Sequence, residues 1–280
     1  MNESSFSPRA RQIIVILIVL FAIFIMIAGT ILIQSNLDRI LERIVPKIEK
    51  DPTLEMTTIL LPIFFFIMRG INFVAAVTLI VMAFPFWKGE DWPWPIILSC
   101  LSLPTIFGVL TNLPYIVQYS RPSTGISVLI LGLIVFLVVL LLKQGPRIEK
   151  WARFITFTLL GMTAGHITVL TLHSLKNLIT SPDRPFFIDI KTTVYAYEGP
   201  LNFISLVFCI VAIPLLASRK HAGWWLGLIA GITVALANFP THFIRLQTSD
   251  FFVGGSLGLG LAISLLIPAF RKSLLGDETR

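Results

Sequence analysis

Few residues in this chain combine the chemistry and the placement needed to act on a ligand. Four are histidines, His166, His173, His221 and His242, all in the second half. His166 and His173 are seven residues apart, about 20° from a common direction on a helix. Thr156 and Thr163 extend the same polar stripe. His242 follows Asn238 by four residues, on the same helical face, with Pro240 between them. His221 falls in a short basic segment without such company. Two chemistries are open to this set. One is interhelical hydrogen bonding, the ordinary use of polar side chains in apolar helices. The other is a single haem or a metal held by His242 with His166 or His173, since membrane haems take histidines from two helices. His166 and His173 are separated by about 10.5 Å of helical rise, too far to share one ion. Neither HxxxH nor HExxH occurs, and Cys100 and Cys209 stand singly inside apolar runs. No dedicated metal-ligand set and no disulfide are therefore expected.

Arg69 is the one charged residue well inside an apolar run. Such an arginine must snorkel, pair or bind an anion. No Asp or Glu reads as lying in the core of any run, so no carboxylate relay for ion pumping is expected. Nucleophile elbow, P-loop and paired carboxylates are all missing from the sequence, which points away from catalysis. The candidate ligand-binding set is Arg69, Asn112, His166, His173, Glu198, Asn238 and His242, converging on an extracytoplasmic pocket. No catalytic residue, metal ligand or particular cofactor follows from it.

The elements that must position these residues follow from composition. Of 280 residues 55% are apolar and only 13% charged, and mean hydropathy is +0.86. A soluble domain of this length would need far more polar surface. An all-α, polytopic transmembrane bundle is the expectation. Eight spans can be drawn, near 13–33, 62–87, 96–116, 126–142, 154–174, 200–217, 223–243 and 251–270. Each reaches or approaches the roughly 20 residues that cross a bilayer. The first reads as a retained helix rather than a cleaved signal. Leu37, Ile40, Leu41, Ile44, Val45 and Ile48 recur at helical spacing, so an amphipathic helix is expected over 36–50, lying on or packed over the outer face. The six tryptophans read as a one-sided interfacial belt. An even span count puts both termini on one side. That side carries twelve of the 22 Lys and Arg, including the dense segment from Lys143 to Arg153, so both termini are expected in the cytoplasm and the protein in the plasma membrane.

A weak internal repeat runs through the chain. Ala10-Arg11 recurs as Ala152-Arg153, Asn36-Leu37 as Asn177-Leu178, Asn72-Phe73 as Asn202-Phe203, and Asn112-Leu113-Pro114 as Asn238-Phe239-Pro240. The expected organisation is two pseudo-symmetric four-helix units, 1–145 and 146–280, related by an axis along the membrane normal. Arg69 then falls opposite Glu198, and a direct ion pair across the axis is expected. Gly161/Gly165, Gly227/Gly231 and Gly254/Gly258 read as close-packing pairs. The functional expectation is binding or transport of a small solute or lipid. A single-haem or metal redox protein and a membrane scaffold or sensor subunit are the alternatives. Membrane lipid and a small-molecule or anionic ligand are the expected partners. The net charge of +7 sits in short segments between spans, which speaks against nucleic acid.

Overall fold

The computed structural model describes residues 6–52, 54–179, 190–246 and 249–276. Among these residues every regular element is helical, and no strand occurs. Ser7 caps α1 (Pro8–Phe24) by accepting from the Ala10 N–H at 3.2 Å, with Pro8 in the first turn. A π-turn, Ile25–Gly29, leads without a break into α2 (Thr30–Ile44). Then come α3 (Leu54–Trp87), α4 (Trp94–Tyr119), α5 (Ile126–Leu142), α6 (Arg147–Ile179), α7 (Ile190–Ala217), α8 (His221–Arg245), α9 (Asp250–Leu266) and α10 (Pro268–Leu275). Six helices are long and apolar enough to cross a membrane, and a seventh span results if α9 and α10, which meet at 75°, count as one. The apolar α5 has 17 residues, short of the roughly 20 that a crossing takes. The chain has the make-up of a multi-pass membrane protein.

Two helices are longer than the sequence reading. Residues 36–44 do not form a separate surface helix but continue the first span. Pro46 is the first proline after Pro8, so nothing breaks the helix earlier. The buried positions Ile25, Gly29 and Ile33 recur every fourth residue, and the wider winding of the π-turn keeps them on one face. The apolar stripe of α2 thereby meets Phe65 and Tyr115. Likewise α3 runs unbroken for 34 residues, through Pro62. It is about 51 Å long, so Leu60 to Ile67 belongs to the same continuous helix as the span expected at 62–87. Neighbouring helices make prolines tolerable at such positions.

The helices form two groups with the same neighbours. α1 packs on α3 and α5, and α4 packs on α3 and α5. α6 packs on α7 and α9, and α8 packs on α7 and α9. Local details recur as well. The turn after α3 bonds Lys88 N to Phe84 O, Gly89 N to Phe86 O and Glu90 N to Pro85 O. The turn after α7 repeats all three 130 residues on, at Ser218–Pro214, Arg219–Leu216 and Lys220–Leu215. Ser120 and Leu246, 126 residues apart, close α4 and α8 in the same left-handed conformation.

At the 130-residue offset Glu198 matches Met68, and Arg69 matches Gly199. The recurring turn bonds therefore do not set Arg69 opposite Glu198. The groups are joined by α4 packing on α6 and α7, with no comparable contact of α8 on α1 or α3. They lie side by side, and α3 and α7 do not line a shared axis.

Two further expectations change. Trp94 and Trp224, in the first turns of α4 and α8, are packed inside the protein, while Trp87, Trp92, Trp151 and Trp225 are exposed. Lys143 covers the Trp94 ring at 3.6 Å and Arg271 the Trp224 ring at 4.7 Å. Close approach is real at Gly231 and Gly258, where an added Cβ on either would meet the other's carbonyl oxygen within 2.8 Å. Gly161 faces open space, so its spacing to Gly165 does not mark a contact.

Candidate functional site

The strongest polar concentration lies where α6, α7 and α8 meet. Glu198 on α7 is fully buried. It accepts hydrogen bonds from the Ser174 hydroxyl on α6 and from the Asn202 amide one turn along α7. Asn202 and Asn238 exchange amide bonds between α7 and α8, at 2.9 and 3.3 Å. Asn238 also donates to Val234 O at 2.8 Å. Ser174, Asn202 and Asn238 are each fully buried too. Three helices are therefore tied by one chain, Ser174–Glu198–Asn202–Asn238. Its two carboxylate contacts come from neutral donors. Glu198, expected in an outer loop just ahead of the span that starts at 200, lies instead five residues inside the candidate span Thr193–Ala217, toward its outer end. Tyr195, Tyr197, Glu198 and Gly199 read as a loop by composition, but α7 starts at Ile190.

His173 stands just outside this centre, with its Nε2 3.3 Å from the Tyr195 hydroxyl and its ring edge-on to Tyr195 and Phe251. Arg245 lies 4.0 Å from the Tyr195 ring centroid. His166 Nε2 is 2.7 Å from the Asp250 carbonyl, joining α6 to the start of α9. His242 packs against Phe243 and Phe252. The histidines thus form an outer shell in which each ring has its own partner. Among the described residues no group of three or more His, Cys, Asp or Glu side chains converges as metal ligands. Asp183, Arg184 and Asp189 lie outside the described residues.

The first group holds the other two candidates apart from this centre. Asn112 donates to Gly108 O at 2.7 Å and accepts from the Ser123 hydroxyl at 2.5 Å. Ser123 accepts in turn from Asn36 at 2.7 Å. This buried chain fastens α2, α4 and the segment before α5. Arg69 donates to Gln34 at 2.6 Å. The expected ion pair of Arg69 and Glu198 does not form: Arg69 bonds Gln34, and Glu198 bonds Ser174 and Asn202.

On the other side of the molecule Arg153, Arg219 and Lys143 gather around Glu149. Arg153 and Arg219 both reach Glu149 Oε1, at 2.8 and 2.6 Å. Burial, then the Arg153 and Arg219 charges, push the Lys143 ammonium down to about 8.

No family model, curated protein or solved structure matches the chain.

The chemistry must therefore be read from the residues themselves. Of the candidate set, only Glu198 and Asn238 share one hydrogen-bonded unit. Sequence reasoning missed Ser174, and it noted Asn202 only as part of the repeat. The signal was present, since Glu198 and Asn202 are four apart and stack on one helical face.

Proposed function

We propose that this protein is a plasma-membrane carrier that binds a small monovalent cation at the Glu198 centre from the extracytoplasmic side. One observation supports this reading: a fully buried carboxyl inside a span whose hydrogen-bond partners are the neutral Ser174 and Asn202. An intramembrane carboxyl either takes up a proton or, as a carboxylate, needs a balancing positive charge, and such groups mark ion or substrate paths. The centre is closely packed, because a Cβ on Gly199 would stand 3.1 Å from Ser174 Cβ. A proton or a bare alkali ion suits such a space. Glu198 is 19 residues from the end of α7, about 28 Å along the helix and near the outer margin of a roughly 30 Å core.

The proposed frame is eight crossings in two like-handed four-helix units, 1–145 and 146–280, with α5 and α9–α10 as the short fourth crossing of each. Its support is the shared packing order, the hydrogen bonds recurring 130 residues apart and the matching helix ends at Ser120 and Leu246. Both termini are cytoplasmic in this frame.

The test is thermal unfolding of purified protein in sodium, potassium or choline chloride at constant ionic strength, with infrared detection of a carboxylic acid band. A cation that stabilises the protein but not Glu198→Gln, or an acid band lost in that variant, is the expected result. Identical salt responses together with no difference in the acid band would overturn it.

A further inference from the structure

A groove of about 780 Å³ opens on the flank of the first group, between Thr30 at the π-turn, the middle of α3 from Phe66 to Thr78, and Cys100 and Leu103 on α4. Its walls are almost wholly apolar and include Phe66, Val74 and Ala75. Phe66 and Val74 are 69% and 64% exposed, which in a membrane means turned toward lipid. At Gly70 an added Cβ would meet nothing within 4 Å, so the groove is open at that level. One cation lines it, Arg69.

The Arg69 guanidinium carries five donors. One goes to Gln34 at 2.6 Å, and the ring of Phe66 lies 5.9 Å away. No carboxylate of a described residue is within ion-pair distance. The nearest connected acid, Asp38, is reached only through Gln34, whose amide donates to Asp38 at 2.8 Å. Three residues along α3, between Arg69 and the groove residue Ala75, Asn72 is 2% exposed with neither amide atom bonded in the protein. A charge in this setting snorkels, pairs or binds an anion, and no carboxylate of a described residue pairs with this one. A guanidinium with a free edge favours the paired oxygens of phosphate or carboxylate.

The position specifies the source. Arg69 is 18 residues from Trp87, the end of α3, which is about 27 Å along the axis. If α3 ends in the cytoplasm, that is just inside the outer margin of a hydrocarbon core of roughly 30 Å, from which a long arginine side chain reaches up to the phosphates of the outer leaflet. Below Arg69 the groove follows α3 past Val74 to Thr78, inside the hydrocarbon. The groove is open along one side, which suits a chain lying along it rather than an enclosed ligand. From this geometry we infer that the groove holds one anionic phospholipid of the outer leaflet, its phosphate on Arg69 and an acyl chain along α3. The lipid supplies the missing countercharge and covers the exposed Phe66–Val74 face in one step. The argument uses residues of the first group alone and is independent of Glu198.

Native mass spectrometry tests it, on delipidated protein exposed to mixed micelles with equal dioleoyl phosphatidylglycerol and phosphatidylcholine. Wild type is expected to retain one phosphatidylglycerol with about tenfold preference, equivalent to about 1.4 kcal/mol. Arg69→Gln should bring the ratio near one, and Arg69→Lys should leave an intermediate preference. Val74→Trp, which fills the groove and keeps the charge, should remove the retained lipid. Each variant is compared at equal helical circular dichroism and monodisperse elution. Equal preference in wild type and Arg69→Gln would overturn the proposal, as would lipid retention unchanged by Val74→Trp. Inorganic phosphate binding Arg69 with no lipid retained would replace it with a free-anion site. A dimer that buries this face in place of lipid would also refute it.

Discussion

At the scale of single residues, Asn202 is the pivot of the second group. Its amide donates to Glu198, and it is tied to Asn238 by two contacts. Asn202→Leu strips a donor from a buried carboxyl and leaves Asn238 half satisfied. Leaving buried polar groups without partners is more costly than replacing all partners together. Asn202→Leu should therefore lower unfolding stability by about 3 kcal/mol. Adding Glu198→Leu to that variant should restore at least about 1 kcal/mol of it, because the orphaned carboxyl is removed. Chemical unfolding of the two single variants and the double variant in detergent checks this. Strictly additive losses would show that the residues act separately. Arg69 differs in kind: it is half exposed, has one neutral protein partner, and owes its setting to whatever fills the groove.

At the scale of elements, the contact of α8 and α9 depends on glycine. A Cβ at Gly258 would lie 2.7 Å from Gly231 O and 2.9 Å from Ala235 N. Both are backbone atoms that cannot swing aside. Gly258→Ala should cost about 1–3 kcal/mol through forced separation of the helices. Gly161→Ala, with nothing within 4 Å, should be neutral or stabilise by up to about 1 kcal/mol through helix propensity. Thermal unfolding of the pair distinguishes packing glycines from incidental ones, and a Gly258→Ala variant as stable as wild type would refute the close contact. The same contrast shows what was readable beforehand. Hydrophobic runs announce helices, so the positions of most spans were legible. Spacing alone does not say which face meets a neighbour, and Gly161/Gly165 had the same pattern as Gly254/Gly258. Helix ends were least legible where polar and turn-forming residues extend a helix beyond the bilayer. Tyr195 to Gly199 reads as loop by composition, which hid Glu198 inside α7. Asn238 was legible as a polar group that must face protein, whereas Ser174 was masked because serine is unremarkable in sequence.

At the scale of the whole molecule, the orientation decides what each site can meet. Arg69 and Glu198 lie at the same end of their helices, opposite the turns at Lys88–Asp91 and Ser218–Lys220. Those turns and the segment after α5 carry Lys88, Lys143, Arg147, Arg219 and Lys220, and Glu149 is clasped there by Arg153 and Arg219. Short basic segments of this kind are retained in the cytoplasm. The opposite end holds Arg121 and the charged part of α2, where Arg39 and Arg43 are balanced by Asp38 and Glu42. Both native cysteines, Cys100 and Cys209, are buried, so added cysteines can be read against a low background. In intact cells a membrane-impermeant maleimide should label Arg121→Cys. Gln144→Cys and Lys220→Cys should label only after permeabilisation. All three positions are exposed in the structure. The reverse pattern would put both termini outside and turn Arg69 and Glu198 toward the inner leaflet. The groove would then draw on cytoplasmic-leaflet lipid, and Glu198 would take its cation from the cytoplasm. Labelling of Arg121→Cys and Gln144→Cys from the same side would show that α5 does not cross, and would remove the fourth crossing from the first unit.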